Sequence, residues 1–179
     1  MFVERSKLKQ SQQTFTTTSE AIFSPCKKYR YVLTRVWNKD KPSLVWLMLN
    51  PSVADHIKND RTVSKCIKFA KIWGYGGITV LNIFALRSTD PKQFYKADDP
   101  VGPKNTGYIF HHAANRRVVV AWGTHGKYLN RGLVILEKLK KWASFHEGMR
   151  VVCLGTTKDG FPKHPLFVKG DTEPIKWEW

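Results

Sequence analysis

The sequence predicts an α/β fold, a three-layer sandwich in which helices cover both faces of a central, mostly parallel β-sheet. Apolar runs of strand length alternate with segments in which apolar residues recur at helical spacing, a pattern typical of parallel sheets with helical crossovers. The chain has 179 residues, of which 42% are hydrophobic, and this is enough for one domain with its own core. Several of the apolar runs stop at polar residues next to proline or glycine, as strands do where they leave a sheet.

The N-terminal part is predicted to hold a polar lead-in and two strands. Residues 1–20 are rich in Gln, Ser and Thr and are predicted to be weakly ordered, whereas residues 21–179 form the domain. Residues 29–37 alternate in strand fashion, with Tyr29, Tyr31 and Leu33 on one side and Arg30, Val32 and Thr34 on the other, and residues 44–49 are a continuous apolar run. Because turn-forming residues 38–42 separate these two strands, they are predicted to pair as an antiparallel hairpin at one edge of the sheet.

Helices and strands alternate along the rest of the chain. A first helix is indicated by apolar residues at helical spacing from Val63 to Ala70, and the glycine-rich residues 74–77 end it. Residues 85–103 form a long loop, and a loop of this length is often functional. The other predicted elements are strands at 78–84, 118–122 and 151–154 and helices at 104–116 and 130–145.

The charge of the chain indicates a polyanionic partner. Thirty Lys and Arg residues against 14 Asp and Glu give a net charge of +16. An ordinary charged surface explains the number of charges but not their sign, and nucleic acid is the usual partner of so basic a domain. Nucleic acid is therefore the predicted partner, and no obligate protein partner is predicted.

The cysteines and the hydropathy pattern predict a cytoplasmic protein. Cys26, Cys66 and Cys153 are few, odd in number and far apart, which favours buried, reduced thiols over disulfides or a zinc site. The first residues lack the apolar stretch of a signal peptide. No apolar run approaches the length of a membrane span, so no membrane contact is predicted.

Polar residues follow the predicted parallel strands where each strand ends. The carboxyl ends of parallel strands share one sheet edge, and ligands bind there in open α/β folds. No Walker motif and no G-x-G-x-x-G motif is present, so nucleotide hydrolysis and dinucleotide binding are not predicted. Asp55, His56 and Asp60 lack a fourth metal ligand nearby in the sequence, so neither a metal nor another cofactor is predicted. The strand-end groups are Asn50-Pro51-Ser52, Asn82-Ile83-Phe84, Trp122-Gly123-Thr124-His125 and Gly155-Thr156-Thr157.

Two interpretations are open for most of these side chains. Asn50 is suited to orienting a water molecule or a polar substrate group, or to capping the turn that follows it. Asp55 or Asp60 is suited to general-base catalysis, or to bonding turn amides. Asn82 has the donor and acceptor needed to read a base edge, or to join adjacent loops as a buried amide. Phe84 is suited to stacking on the base, although a Phe at the end of a strand more often belongs to the core.

A second loop supplies a histidine and several basic residues. His164 precedes Pro165, which stiffens the backbone, and its imidazole could donate a hydrogen bond to a developing anion. The flanking lysines and arginines are predicted to follow the phosphates of a nucleic acid, the alternative being ordinary solvated side chains. The predicted phosphate and sugar contacts are Ser52, Arg87, Thr156, Lys158 and Lys163, with Lys92, Lys96 and Lys169 close by.

Several motifs resemble a bacterial and phage family long labelled as a domain of unknown function. The resemblance covers residues 28–168. It is carried by LMLNPSVAD, Asp-Arg-Thr at 60–62, GYGGITVLNIFALRSTDP, Trp-Gly at 122–123 and LGTTKDGFPKHPLF.

The arrangement also resembles, more distantly, the uracil-DNA glycosylase superfamily. In that superfamily an Asp/Asn-Pro loop after the first strand positions the attacking water, a strand-end Asn reads the flipped base, and a late His-Pro loop supports the departing base. Asn50-Pro51, Asn82 and His164-Pro165 match these roles in the same order. The resemblance therefore implies a uracil-DNA glycosylase-like fold, with Asn50, Asp55, Asp60 and His164 in catalysis and Asn82, Phe84 and Pro51 at the base.

Two departures from that superfamily bear on the substrate. Leu49 or Met48 stands where the first loop usually opens with Gly, and Leu166 stands where His-Pro is usually followed by Ser. Both argue against uracil. The resemblance extends to bacterial restriction glycosylases that excise glucosylated hydroxymethylcytosine from phage DNA. It thus implies a monofunctional DNA N-glycosylase whose partner is double-stranded, phage-modified DNA. Such an enzyme would leave abasic sites in invading DNA, as antiviral defence and without a cofactor.

Other functions fit parts of the pattern. A nucleoside N-glycosidase or transferase shares the chemistry but does not need a charge of +16. A non-catalytic nucleic-acid-binding module would depend on Lys and Arg but not on Asn50 or His164. A metal-dependent nuclease is the third alternative.

Overall fold

Seven β-strands and three α-helices make up the part of the chain that the computed structural model describes, which is residues 18–52, 54, 57–90 and 95–177. The strands are β1 (Thr18–Phe23), β2 (Arg30–Val36), β3 (Ser43–Met48), β4 (Gly77–Asn82), β5 (Arg117–Val120), β6 (Arg150–Cys153) and β7 (Ile175–Lys176). The helices are α1 (Arg61–Ile72), α2 (Asn105–Ala113) and α3 (Arg131–Ala143). Each of the three predicted helices is confirmed, whereas β1 and β7 were not predicted.

The strands form one mixed sheet in the order β1-β2-β4-β3-β5-β6-β7. The four central strands, β4, β3, β5 and β6, are parallel to one another, whereas β2 and β7 run antiparallel to their central neighbours and β1 runs antiparallel to β2. The predicted α/β class is therefore confirmed. The chain moves from β3 to β4 in one direction and then back across to β5 and β6. Right-handed crossovers require this reversal to put α1 on one face and α2 and α3 on the other.

A hydrophobic core lies on each face of the sheet. On one face α1 packs Val63, Cys66 and Phe69 against the sheet, where the Phe69 ring lies 6.1 Å from the indole of Trp46 in β3. On the other face α2 and α3 bury their apolar stripes in a second core, with Leu47 of β3. Because successive residues of β3 are buried on opposite faces, the strand is apolar throughout its length. The order of layers is helix, sheet, helices.

The predicted pairing of residues 29–37 with residues 44–49 is wrong, because β4 lies between these two strands. Val36 and Ser43 both pair with Gly77, the first residue of β4. A Cβ atom at Gly77 would lie 2.5 Å from the side-chain oxygen of Ser43, so the close approach of three strands requires glycine there. An antiparallel edge hairpin is present, but β1 and β2 form it.

The hairpin also changes the N-terminal boundary. Because β1 begins at Thr18 and pairs with β2, residue 20 lies inside a strand. Residues 1–17 lie outside the described part of the chain.

Cys66 and Cys153 are buried as predicted, whereas Cys26 is exposed, and all three are free thiols. No helix among the described residues is long and apolar enough to cross a membrane.

Candidate functional site

A cavity of about 660 Å³ opens at the carboxyl edge of the parallel strands. Taken in chain order, the four parallel strands lie second-first-third-fourth across the sheet. The winding direction therefore reverses between β3 and β5, which leaves a crevice between the loops that follow these strands. Open α/β sheets bind their ligands at such a switch point. The topology alone makes this edge the candidate site.

Six of the predicted site residues line this cavity, and they come from distant parts of the chain. They are Asn50, Ser52, Asp60, Asn82, Lys163 and His164. The loop after β3, the end of β4, the start of α1 and the His164 loop thus meet around one space, as the strand-end argument predicted. Asp55, the other candidate carboxylate, lies outside the described residues.

Two residues predicted to contact the base lie behind the cavity wall. Phe84 is fully buried in the core, with its ring 5.8 Å from that of Tyr128. Pro51 is buried, and its carbonyl accepts a hydrogen bond from the Ser88 backbone N–H at 2.9 Å. For Phe84 the structure therefore corresponds to the core interpretation rather than to base stacking. Pro51 holds two loops together.

Three residues predicted to contact the phosphates and sugars also lie outside the cavity lining. Arg87 is exposed, donates to the Lys27 carbonyl at 3.1 Å and lies 4.9 Å from the centre of the Phe23 ring. Thr156 and Lys158 are exposed on the loop that follows β6. These side chains lie on the outer surface, whereas Lys163 is the lysine of this set that reaches the cavity.

The amide of Asn50 presents its oxygen to the cavity. Its Nδ2 donates to the Ser88 carbonyl at 3.2 Å and to the Pro51 carbonyl at 3.3 Å. Because carbonyl oxygens only accept, these contacts fix the orientation of the amide. Oδ1 accepts no hydrogen bond from any described residue and is left as an acceptor for a water molecule or a substrate hydroxyl.

The amide of Asn82 has the opposite polarity. Its Oδ1 accepts from Nη2 of Arg30 at 3.4 Å, in a contact where both residues are 2% exposed. Nδ2 has no acceptor among the described residues, so this donor is available to a ligand in the cavity. The Asn82 carbonyl accepts from Asn105 Nδ2 at 2.9 Å, which holds the end of β4 in place.

Asp60 brings a carboxylate to the cavity from the start of α1. It is the N-cap of that helix, and its Oδ1 accepts from the Val63 backbone N–H at 2.8 Å. A cap of this kind satisfies one of the free amides at a helix start. Oδ2 accepts no hydrogen bond from any described residue, so the side chain has an oxygen to spare for a ligand or a water molecule.

His164 is held as a neutral hydrogen-bond donor. Its Nδ1 accepts from the Leu166 backbone N–H at 3.3 Å, which places the ring proton of the neutral form on Nε2. Burial lowers the pKa of His164 below its ordinary value, and the nearby carboxylate of Asp60 offsets part of that effect. Pro165 begins the short 3₁₀ turn Pro165–Phe167 and fixes the loop after the ring.

Comparison with known proteins assigns the chain to a family. Residues 30–166 match the family described as "Protein of unknown function (DUF1643)". The chain belongs to this family. The match begins at the first residue of β2 and ends just after His164-Pro165, so it includes all four parallel strands. No curated protein and no solved structure matches the chain significantly.

Arg30 is one of the residues of the site that sequence reasoning missed in this DUF1643 family member. Arg30 lines the cavity although it is 2% exposed, whereas strand alternation assigned it to the polar side of β2. The signal was its position between Tyr29 and Tyr31, which are both buried. A charged residue flanked by buried aromatics needs polar partners in the interior.

Trp122 and His125 form the wall of the cavity after β5. Trp122 is 1% exposed, and its indole lies over the glycines at positions 126 and 132, where any Cβ atom would overlap it. The Nδ1 atom of His125 is 2.9 Å from the hydroxyl of Tyr95. Across the described residues no three His, Cys, Asp or Glu side chains are grouped closely enough to hold a metal ion.

Proposed function

We propose that this protein is a monofunctional DNA base glycosylase that hydrolyses the N-glycosidic bond of a flipped, modified base. One observation carries the proposal. Around one switch-point cavity lie an amide oxygen from Asn50, a carboxylate from Asp60, an amide NH2 from Asn82 and an imidazole from His164. Acceptors and donors thus face the same cavity.

Hydrolysis of this bond needs both kinds of group. The water oxygen bonds to the sugar C1′ while the C1′–N bond breaks and its electron pair leaves with the base. One water proton ends on the base and the hydroxyl on C1′. The sugar passes through a cationic, oxocarbenium-like state, so a carboxylate and a positioned water lower the barrier. Asn50 Oδ1 would hold the water, and Asp60 Oδ2 would accept its proton or stabilise the sugar cation.

The donors serve the departing base. Negative charge develops on the base as the bond breaks, and preorganised donors stabilise it most effectively in a site that excludes water. The neutral imidazole of His164 would donate through Nε2, and the amide of Asn82 through Nδ2. Because burial lowers the pKa of His164, the ring stays neutral near pH 7 and does not attract the phosphates of undamaged DNA into the cavity.

Duplex DNA is the proposed partner because a base must leave the stack to reach such a cavity. The net charge of +16 suits a phosphate backbone, and Lys163 lies at the cavity. Two apolar side chains of the same loop line the cavity and are exposed, Leu166 at 40% and Phe167 at 82%. Exposed apolar side chains beside a basic site suit insertion between base pairs, in the space that a flipped nucleotide leaves.

The modified base proposed is glucosylated hydroxymethylcytosine of phage DNA, with antiviral defence as the biological role. A cavity of about 660 Å³ lies well inside the range of pockets that hold drug-sized ligands, which supports a base with a bulky substituent. A uracil-DNA glycosylase-like fold belongs to the same proposal. Its support is the order of Asn50-Pro51, Asn82 and His164-Pro165 along one parallel sheet edge.

The test uses DNA duplexes that carry one unmodified cytosine, one uracil or one glucosylated hydroxymethylcytosine at the same position. We expect strand breaks in the duplex that carries the modified cytosine and not in the other two. These breaks should appear after alkali treatment, which cleaves abasic sites, and not before it. The variants Asn50→Ala and His164→Ala should bind the same duplex with unchanged affinity but produce few breaks. No breaks with any of the three duplexes would refute the glycosylase.

The other functions give different results in the same assay. Breaks without alkali, abolished by a chelator, would indicate a nuclease. Base release from free nucleosides but not from duplexes would indicate a nucleosidase. A binding module without catalysis would produce no breaks. It would bind the duplexes as well in Asn50→Ala and His164→Ala as in the wild type, and it would lose this binding in Lys163→Ala.

A further inference from the structure

We infer that Arg30 is a positioning residue that fixes the polarity of Asn82, so that the cavity recognises a hydrogen-bond acceptor on the base edge. The ligand class that follows is an amino pyrimidine, whose ring N3 is an acceptor, in preference to an imide pyrimidine, whose N3 carries a proton. The inference rests on the proposed function, because it concerns how the same cavity reads a base.

The polarity follows from the chemistry of the two partners. A guanidinium has five donors and no acceptor, so only the oxygen of an amide can face it. Arg30 Nη2 and Asn82 Oδ1 are 3.4 Å apart and buried. Turning the amide over would set its NH2 donor against the guanidinium donor in the buried contact, so the hydrogen bond between the two side chains would be lost. Buried polar groups without partners are costly enough to exclude that orientation.

Both members of the pair are anchored by further contacts. The backbone N–H of Arg30 donates to the Ala85 carbonyl at 3.0 Å, and its Nη1 donates to the Ala54 carbonyl. On the other side, Asn105 Nδ2 donates to the carbonyls of Asn82 at 2.9 Å and Ile83 at 3.2 Å. The guanidinium and the amide therefore meet in a fixed geometry before any ligand arrives.

The free donor has consequences for the ligand. An amide NH2 polarised by a neighbouring cation is a better donor than an isolated one. A cytosine-type base can meet the Asn82 NH2 with N3, which has a lone pair. A uracil-type base in the same pose would set N3–H against N–H, and it has to shift to bring a carbonyl to the amide.

The test measures binding of the free bases cytosine and uracil to the full chain, by chemical-shift titration of the labelled protein. The wild-type protein should bind cytosine more tightly, with a ratio on the order of tenfold. In Arg30→Met the amide is free to turn, and the ratio should fall close to one. Arg30→Lys keeps a cationic donor and should keep most of the preference. If Arg30 only supported the fold, the ratio of cytosine to uracil affinity would not depend on whether Lys or Met replaces it.

A second variant, Arg30→Gln, tests the same inference if Arg30→Met does not fold. Arg30→Gln retains hydrogen bonds but accepts as well as donates, so it too should lower the ratio. Equal or tighter binding of uracil by the wild-type protein, binding of neither base, or an unchanged ratio in the folded Arg30 variants would each overturn the inference. Failure of the glycosylase proposal is distinct, because it shows as a cytosine preference in binding without abasic sites in any duplex.

Discussion

Replacing Asp60 by Asn and by Ala separates two functions of one carboxylate. In the structure Asp60 Oδ1 caps α1 through the Val63 N–H at 2.8 Å, while Oδ2 is left for the cavity. Asn is an equally good N-cap and has nearly the same shape. Asp60→Asn therefore removes the charge and keeps the cap, whereas Asp60→Ala removes both.

The stability effects can be worked out from the cap. Loss of an N-cap side chain costs about 1 kcal/mol of unfolding free energy, which lowers Tm by roughly 2–4 °C in a chain of this size. Asp60→Ala should show this shift, and Asp60→Asn should remain within about 0.5 kcal/mol of the wild-type protein. Thermal unfolding of the three proteins at the same pH gives the comparison.

The activity effects should follow the charge instead of the cap. A positioned general base contributes roughly 10²- to 10⁴-fold to a rate, so both variants should lose at least about 100-fold in single-turnover base excision. Removing the carboxylate also removes the charge that raises the pKa of His164, so this pKa should fall further in Asp60→Asn. An Asp60→Asn protein that excises within about threefold of the wild-type rate would refute the reasoning and leave Asp60 as a helix cap only.

Three further predictions concern the cavity and its wall. Base excision should fall as pH drops through the pKa of His164, which burial holds below the ordinary value of about 6.5, because a protonated Nδ1 cannot accept the hydrogen bond from the Leu166 N–H. A kcat/KM profile that stays flat over the pH range in which an NMR titration shows the His164 ring becoming protonated would contradict this. Gly126→Ala should lower the unfolding free energy by about 1–3 kcal/mol in a denaturant titration, because the new Cβ would overlap the indole of Trp122. Gly107→Ala is the control: a Cβ there meets no atom within 4 Å, and the substitution should stabilise α2 by about 0.5 kcal/mol. Phe167→Ala should leave Tm unchanged, because the ring is 82% exposed, and weaken excision from duplexes, while Phe145→Ala, at a 72% exposed position on the loop after α3, should change neither.

The helices and the parallel strands were predictable because their signals are local. Apolar spacing located α1, and Gly74, with a φ of 80°, ends it as the glycine-rich segment indicated. The pairing of the strands, in contrast, was not predictable from local signals. The turn residues 38–42 favoured a hairpin, but β4, which begins 35 residues after residue 42, lies between the two strands. No local pattern contains that information.

Part of the site was predictable from one topological rule. Residues that end parallel strands share a sheet edge, and the rule brought Asn50, Asn82 and the His164 loop together correctly. It failed for Phe84, since a strand-end side chain can turn into the core as easily as into the crevice. It could not include Arg30, which begins a strand antiparallel to β4 and reaches the same edge from the opposite chain direction.

The two asparagines show why residue type alone does not define the chemistry of this cavity. Asn50 and Asn82 have the same side chain, yet one offers an acceptor and the other a donor. The partner that decides each orientation lies 38 residues away for Asn50 and 52 residues away for Asn82. Asn50 is oriented by main-chain carbonyls, which every residue type carries, whereas Asn82 is oriented by the side chain of Arg30. The water side of the proposed site is therefore fixed by the fold, and the base side can be changed by substituting one residue.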